Sequence, residues 1–178
     1  MVQDGPEFLK KSNKYIRMTS GNIEISYKKY NSIDELPDSD RHLFDNAKKL
    51  AKTAYAPYSG FRVAAVALMQ DGSIVRGTNQ ENASYPIGLC AERVLLAAAS
   101  SIAPGQSIQT IVITYESDTV DTSEPVAPCG ICRQSLLEFE SRFEQPMRMI
   151  LAGNKEIYEF STVSLLLPLG FKPHHLGK

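Results

Sequence analysis

The feature that most constrains this 178-residue chain is a set of three thiols carried by two short motifs. Cys90 opens a Cys-Ala-Glu motif that ends on Glu92, and Cys129 and Cys132 belong to a Pro-Cys-x-x-Cys motif further along. Three cysteines can hold Zn²⁺ tetrahedrally only if a fourth position is left for water, which is the arrangement of a catalytic zinc site. Glu92 then provides the carboxyl group expected to carry protons beside that water. We therefore predict that both motifs meet around one zinc ion.

Composition narrows the remaining possibilities. All three cysteines stand in these motifs, so no disulfide framework is expected. The alternatives to a catalytic zinc site are that the cysteines are small buried core residues or that they hold a structural zinc ion. The hydrophobic content of 43% suits one globular domain. No apolar run could span a bilayer and the N-terminus lacks a secretory profile, so we expect the reducing cytoplasm, where thiolates persist. A net charge of −1 without a basic stripe favours a small substrate over nucleic acid or membrane partners.

Hydrophobic periodicity predicts strands that alternate with helices. Alternating apolar and polar residues over 22–30 indicate a half-buried strand at a sheet edge, and apolar residues at helical spacing after Pro37 indicate a helix that ends before Pro57. Strands that alternate with helices after a hairpin imply a three-layer α/β/α domain. In chain order, the further predictions are strands at 61–69 and 73–77, a buried helix at 94–99, a strand at 110–115, a helix at 129–139, strands at 147–152 and 157–160, and a short helix at 161–167.

Five stretches of the sequence carry a family resemblance: A-Y-A-P-Y-S-G-F at 54–61, N-Q-E-N-A-S-Y-P at 79–86, C-A-E-R at 90–93, P-C-G-I-C-R-Q at 128–134 and L-L-P-L-G-F at 166–171. They resemble the cytidine deaminase family, in its short, homotetrameric branch with three cysteine ligands. The resemblance covers roughly residues 40 to 175 and implies a mixed five-stranded sheet between helices, that is, an α/β sandwich of the cytidine deaminase type. It also divides the chain into a loose N-terminal extension, 1–40, and a catalytic domain, 41–178.

The resemblance implies zinc-dependent hydrolysis of cytidine and deoxycytidine to uridine and deoxyuridine, with release of ammonia, as a step of pyrimidine salvage. Glu92 would move a proton from water to ring N3 of the pyrimidine and then assist the departure of ammonia. The alternative for Glu92 is an ordinary glutamate that stabilises a helix N-terminus.

The same resemblance implies a set of residues that bind the nucleoside. Asn79 and Glu81 match a pair that grips the sugar hydroxyls, and they alternate along an extended loop so that both can face one pocket. Phe61 matches a residue that flanks the base or sugar, Ala91 is a further substrate contact, and Phe171 matches a phenylalanine that enters a neighbouring subunit's site. From the residues alone, the alternatives are turn positions for the polar pair and core packing for the phenylalanines.

Arg93 follows Glu92 directly and is expected to donate hydrogen bonds to a thiolate sulfur, which draws charge away from the metal. A surface cation paired with a carboxylate is its alternative. Two hypotheses compete with cytidine deamination: a deaminase of a related nucleoside such as blasticidin S, and a non-catalytic zinc-bound binding module. The presence of Glu92 argues against a non-catalytic module. Asn79 and Glu81 favour a plain ribose nucleoside as the substrate over blasticidin S.

Overall fold

The computed structural model describes residues 20–177, and within them it contains six strands and three α-helices. None of these helices is long and apolar enough to cross a membrane. The strands are β1 (Lys28–Tyr30), β2 (Phe61–Met69), β3 (Ile74–Thr78), β4 (Ile108–Ser117), β5 (Arg148–Ala152) and β6 (Ile157–Phe160); the helices are α1 (Asp38–Ala51), α2 (Ala91–Ile102) and α3 (Gly130–Phe143). Short 3-10 helices span Ile33–Glu35, Tyr85–Ile87, Val163–Leu166 and Pro173–Leu176.

The strands form one mixed sheet in the order β1-β6-β5-β4-β2-β3. The neighbours β4 and β5 are parallel and are connected through α3, whereas the other neighbouring pairs are antiparallel. The strands predicted at 61–69 and 157–160 coincide with β2 and β6, and the other predicted elements after residue 37 differ only at their ends. The mixed sheet is confirmed, but the expected number of five strands is wrong because β1 adds a sixth.

The edge strand predicted over 22–30 is wrong for most of its length. Only residues 28–30 pair with a neighbour, β6, and Lys28 lies opposite Glu159. Because β6 ends one residue later, at Phe160, the segment before Lys28 has no strand beside it to complete a ladder. Alternation alone could not reveal the length of a partner that lies about 130 residues away.

Two clusters of buried side chains, one on each face of the sheet, form the core. Successive residues of a strand point to opposite faces, and in β4 this places Val112 in the cluster that contains α1, whereas Ile111 and Ile113 belong to the cluster that contains α2 and α3. Helices therefore cover both faces, and the predicted three-layer α/β/α architecture is confirmed.

Two buried carboxylates, Asp40 and Glu159, connect α1 and β1 to the strands β5 and β6. Arg148 donates two hydrogen bonds to the carboxylate of Asp40, and its Nη1 lies 3.6 Å from Glu159 Oε2. Glu159 also accepts from the hydroxyl of Tyr30 at 2.7 Å and from Lys28 Nζ at 3.0 Å. Both carboxylates are buried, and buried charges are tolerated only when they are paired in this way.

Candidate active site

The structure brings the three cysteines together where α2 and α3 begin. Cys90 and Cys129 each immediately precede a helix, and Cys132 lies in the first turn of α3. The three Sγ atoms lie within 4.8 Å of one another, and those of Cys129 and Cys132 are 3.5 Å apart. Zn–S bonds of about 2.3 Å in a tetrahedron separate the sulfur atoms by about 3.8 Å. The donor atoms and their spacing therefore fit a zinc ion.

The three thiols differ in their surroundings. Burial raises the pKa of Cys90 and of Cys132, and the nearby charge of Glu92 adds to this effect. Burial acts on Cys129 too, but hydrogen bonds from the Cys132 backbone and contacts with the other two thiols outweigh it and lower the pKa of Cys129. Cys129 is also the exposed member of the set. Since thiolates are the form that binds zinc, a bound cation would offset the burial of the other two.

Glu92 lies in the first turn of α2 and is only 5% exposed. Burial raises the pKa of Glu92, while hydrogen bonds from its own backbone amide and from the Cys132 side chain act in the opposite direction. A carboxyl group whose pKa is raised accepts a proton more readily than a free one, and it can release that proton again to a reacting group. The arrangement therefore supplies a proton carrier next to a metal-binding group of thiols.

A cavity of about 650 Å³ opens above the thiols and Glu92, a size typical of a site for a small molecule. It lies beside the start of β2, the loop after β3, the first turn of α2 and the segment that precedes α3. Most of the predicted site residues line it, namely Phe61, Asn79, Glu81, Cys90, Ala91, Glu92 and Cys129.

The side chain of Asn79 braces the wall of the cavity. Its Nδ2 donates to the carbonyl oxygen of Phe61 at 2.9 Å, and its Oδ1 accepts from the backbone amide of Val63 at 2.7 Å. A carboxamide has a second N–H and a further lone pair, so Asn79 can still bind a hydroxyl while it holds β2. Asn79 can therefore fix the local backbone, as its structural alternative requires, and also bind the substrate, as predicted.

The aromatic wall at Phe61 depends on a residue that the sequence did not single out. The ring of Phe61 stacks on Tyr115, with centroids 5.0 Å apart. The Tyr115 hydroxyl donates to the carbonyl oxygen of Glu124 at 2.8 Å, in the loop that leads to the second cysteine motif. Tyr115 lies in a predicted strand, but no local pattern indicates what its ring and hydroxyl contact.

Three predicted residues do not line the cavity: Arg93, Phe171 and the fully buried Cys132. Within the described residues, no hydrogen bond joins the half-buried Arg93 to a cysteine sulfur. Phe171 belongs to the C-terminal segment, where the side-chain amide of Gln134 donates to its carbonyl oxygen at 2.8 Å and accepts from its backbone amide at 3.3 Å. Its side chain is 55% exposed and does not reach the cavity of its own chain.

The lining residues that were not singled out from the sequence include Tyr58, Ser59 and Tyr85. The rings of Tyr58 and Tyr85 meet edge to face, with centroids 5.9 Å apart. All three stand inside motifs that carry the family resemblance, and this position was the sequence signal that could have identified them as site residues.

Comparisons with known proteins agree with this geometry. Residues 37–144 match a family model described as the cytidine and deoxycytidylate deaminase zinc-binding region. The cytidine deaminase of Halalkalibacterium halodurans is 39% identical over 129 residues, which is 72% of this chain and 91% of the relative. That of Sporosarcina psychrophila is 37% identical over 135 residues, or 76% and 93%. The crystal structure of cytidine deaminase from Burkholderia pseudomallei superposes with a TM-score of 0.61 at 33% identity, covering 76% of this chain and 100% of that one.

Proposed function

Since the chain belongs to the cytidine and deoxycytidylate deaminase family, we propose that it hydrolyses cytidine and deoxycytidine to uridine and deoxyuridine and releases ammonia. It is a zinc-dependent hydrolase. The observation that carries this proposal is the convergence of three thiols and the buried Glu92 on one cavity of suitable size. Neither a blasticidin S deaminase nor a non-catalytic zinc module is favoured, because the relatives are named cytidine deaminases and this chain retains the carboxyl group that the reaction needs.

We assign Cys90, Cys129 and Cys132 as the zinc ligands. When bound, zinc supplies a Lewis acid that lowers the pKa of a water molecule. Cys90 and Cys129 stand at helix N-termini, where free amides favour the thiolate form. Three thiolates give the site a net negative charge, and Arg93, on the turn of α2 that follows Cys90, is the cation we expect to offset it.

Glu92 is the proposed proton carrier. It would take a proton from water as the oxygen adds to C4 of the pyrimidine and deliver that proton to ring N3. It would then move the remaining proton of the added hydroxyl to the amino nitrogen, which leaves as ammonia while C4 becomes a carbonyl. Burial suits this role, because it raises the pKa of Glu92 and so favours uptake of a proton by the carboxylate.

Four residues are proposed to hold the nucleoside. Asn79 and Glu81 would bind the sugar hydroxyls, and a substrate without ribose would leave these groups unpaired, which disfavours it. Phe61, fixed by its stacking partner, would flank the base or sugar, and Ala91 would contact the base from the floor of the cavity.

A homotetramer is the proposed assembly, with Phe171 of one subunit completing a neighbour's cavity. Its exposed side chain, which is held away from its own cavity, supports this role. Other apolar side chains near the cavity mouth are exposed as well, which is typical of surfaces that another protein covers; they are Tyr55, Tyr58, Tyr85, Ile87 and Leu89. We further propose a cytoplasmic enzyme of pyrimidine salvage that binds no nucleic acid, since thiolate ligands need a reducing compartment and the charge pattern lacks a basic stripe.

The test is an assay of purified protein for zinc content, for loss of cytidine absorbance and for ammonia release. We expect one zinc per chain, and one ammonia for each uridine formed. Zinc-loaded protein that releases no ammonia from cytidine would overturn the proposal, and release from blasticidin S alone would favour the competing deaminase.

A further inference from the structure

Ser59 joins two of the residues proposed to hold the nucleoside. Its hydroxyl donates to Oε1 of Glu81 and accepts from the backbone amide of Phe61 at 3.0 Å. A hydroxyl has one proton to donate, and that proton is committed to the Glu81 carboxylate. Ser59 also lies on the wall of the cavity, so this contact is made where the substrate would bind.

The other oxygen of Glu81 is held by the backbone of the same turn. Oε2 accepts from the amide of Tyr58 at 2.8 Å and from the amide of Ser59 at 3.3 Å. Bonds to one oxygen alone leave the carboxylate free to rotate about its terminal torsion, which is broad for glutamate. The Ser59 hydroxyl, which bonds to the second oxygen, is therefore the group that fixes the plane of the carboxylate.

The turn that carries Ser59 is itself fixed. Gly60 has a φ of +65°, and its amide donates to the carbonyl oxygen of Ala56 at 3.0 Å. A β-carbon at Gly60 would lie 3.0 Å from Oδ2 of Asp118, so the turn stands against the end of β4. Arg62, directly after the turn, binds that same carboxylate with two hydrogen bonds, one of them 2.8 Å long. Ser59 thus holds Glu81 against a well-anchored part of the chain.

We propose that Ser59 is a positioning residue that orients the Glu81 carboxylate towards the sugar hydroxyls, and that it thereby sets the preference for nucleosides that carry these hydroxyls over nucleosides that lack them. This inference rests on the sugar contact proposed above for Glu81. Ser59 takes no part in the proton transfers, which belong to Glu92.

The charge of Glu81 is consistent with this role. The hydrogen bond from the Ser59 hydroxyl is the largest influence that lowers the pKa of Glu81, and the amide of Tyr58 adds to it. An ionised carboxylate has about four lone-pair sites; Ser59 and the two amides occupy three of them, which leaves one, on Oε1, to accept a hydrogen bond from a sugar hydroxyl.

The test compares Ser59→Ala, Ser59→Thr and Glu81→Gln, together with the Ser59→Ala, Glu81→Gln double variant, using cytidine and 2′,3′-dideoxycytidine as substrates. For Ser59→Ala we expect KM for cytidine to rise about tenfold, the size of one hydrogen bond to a charged group, with kcat within about twofold of wild type. KM for the dideoxy substrate should not change, because it lacks the 2′- and 3′-hydroxyls that Glu81 is proposed to bind. Ser59→Thr keeps the hydroxyl and should restore the cytidine KM.

KM for cytidine should be no higher in the double variant than in Glu81→Gln, since Ser59 is inferred to act only through Glu81. Ser123→Ala is the matched control, because the Ser123 hydroxyl donates to Oδ1 of Asp121 at 2.8 Å and neither residue lines the cavity. An unchanged cytidine KM in Ser59→Ala, additive effects in the double variant, or an equal rise for both substrates would overturn the inference while leaving Glu81 as a sugar ligand. If Glu81→Gln itself leaves the cytidine KM unchanged, the sugar contact is wrong and the inference fails with it.

Discussion

A β-carbon at Gly77 would lie 2.4 Å from the carbonyl oxygen of Ala91, so strand β3 and the first turn of α2 are in direct backbone contact. The amide nitrogen of Leu95, one turn later, would be only 2.5 Å away. Helix backbone, unlike the end of a flexible side chain, cannot move aside for an added methyl group. The absence of a side chain at this position therefore sets how closely the start of α2, with Cys90 and Glu92, approaches the sheet.

Gly77→Ala is expected to destabilise the protein and to disturb the zinc site together. Overpacking typically costs about 1–3 kcal/mol, and we expect the upper end here because the clash is with backbone. Urea unfolding and zinc content measure the two effects. Gly21→Ala is the control, since nothing lies within 4 Å of a β-carbon there. An unchanged urea midpoint in Gly77→Ala would contradict the expected clash.

Glu92→Gln should separate catalysis from metal binding. The substitution keeps the size of the side chain but removes the exchangeable proton, so fold and zinc content should persist while kcat falls about a hundred- to ten-thousandfold. The Cys129→Ala, Cys132→Ala double variant is the comparison, because it should lose zinc and activity together. Cytidine deamination within tenfold of wild type, by Glu92→Gln protein shown to contain zinc, would mean that another group carries the proton.

Phe171→Ala should weaken substrate binding more than it weakens the stability of the fold. Because the side chain is 55% exposed, we expect the thermal midpoint to change little, whereas KM for cytidine should rise about three- to tenfold, the size of an aromatic contact. Leu169→Ala, at an 86% exposed position nearby, is the control. Light scattering under assay conditions tests the assembly: a fully active monomer would rule out a neighbour's contribution to the cavity.

The pKa of Glu159 predicts how acid weakens the edge of the sheet. Burial alone raises the pKa of this carboxyl, but hydrogen bonds from Tyr30 and Lys28 and the charge of Arg148 outweigh burial, so the pKa lies below its usual value. Such a group stabilises the fold above its unfolded-state pKa of about 4.3, and this contribution is lost as pH falls through the folded-state pKa.

Glu159→Gln should therefore lower the free energy of unfolding at neutral pH and make it less dependent on pH below about pH 5. Urea unfolding from neutral pH down to about pH 2 measures both effects, because this range extends below the unfolded-state pKa of about 4.3. The exposed Glu138→Gln should behave as wild type does. Equal pH dependence in wild type and Glu159→Gln would show that the hydrogen bonds of Glu159 make no net contribution.

Local sequence was sufficient to predict the bounds of an element wherever that element's own residues determine its structure. The apolar run at 61–69 predicts β2 to the residue, and the helix after Pro37 begins where its acidic first turn indicates. It was insufficient for β1, whose length depends on where β6 ends, and for Tyr115, whose hydrogen bond joins it to a loop rather than to its own strand.

The sequence by itself determined the donor atoms of the site, because three thiols and one carboxyl group at these spacings define both the metal and the reaction class. It also determined the layered fold, because periodicity decides which face of each element is buried. Only the tertiary structure decided that Ser59 holds Glu81, that Tyr115 supports Phe61, and that Gly77 lets α2 reach the sheet. These contacts join residues that are far apart in the chain, and their existence depends on strand order and register, which no single stretch of sequence encodes.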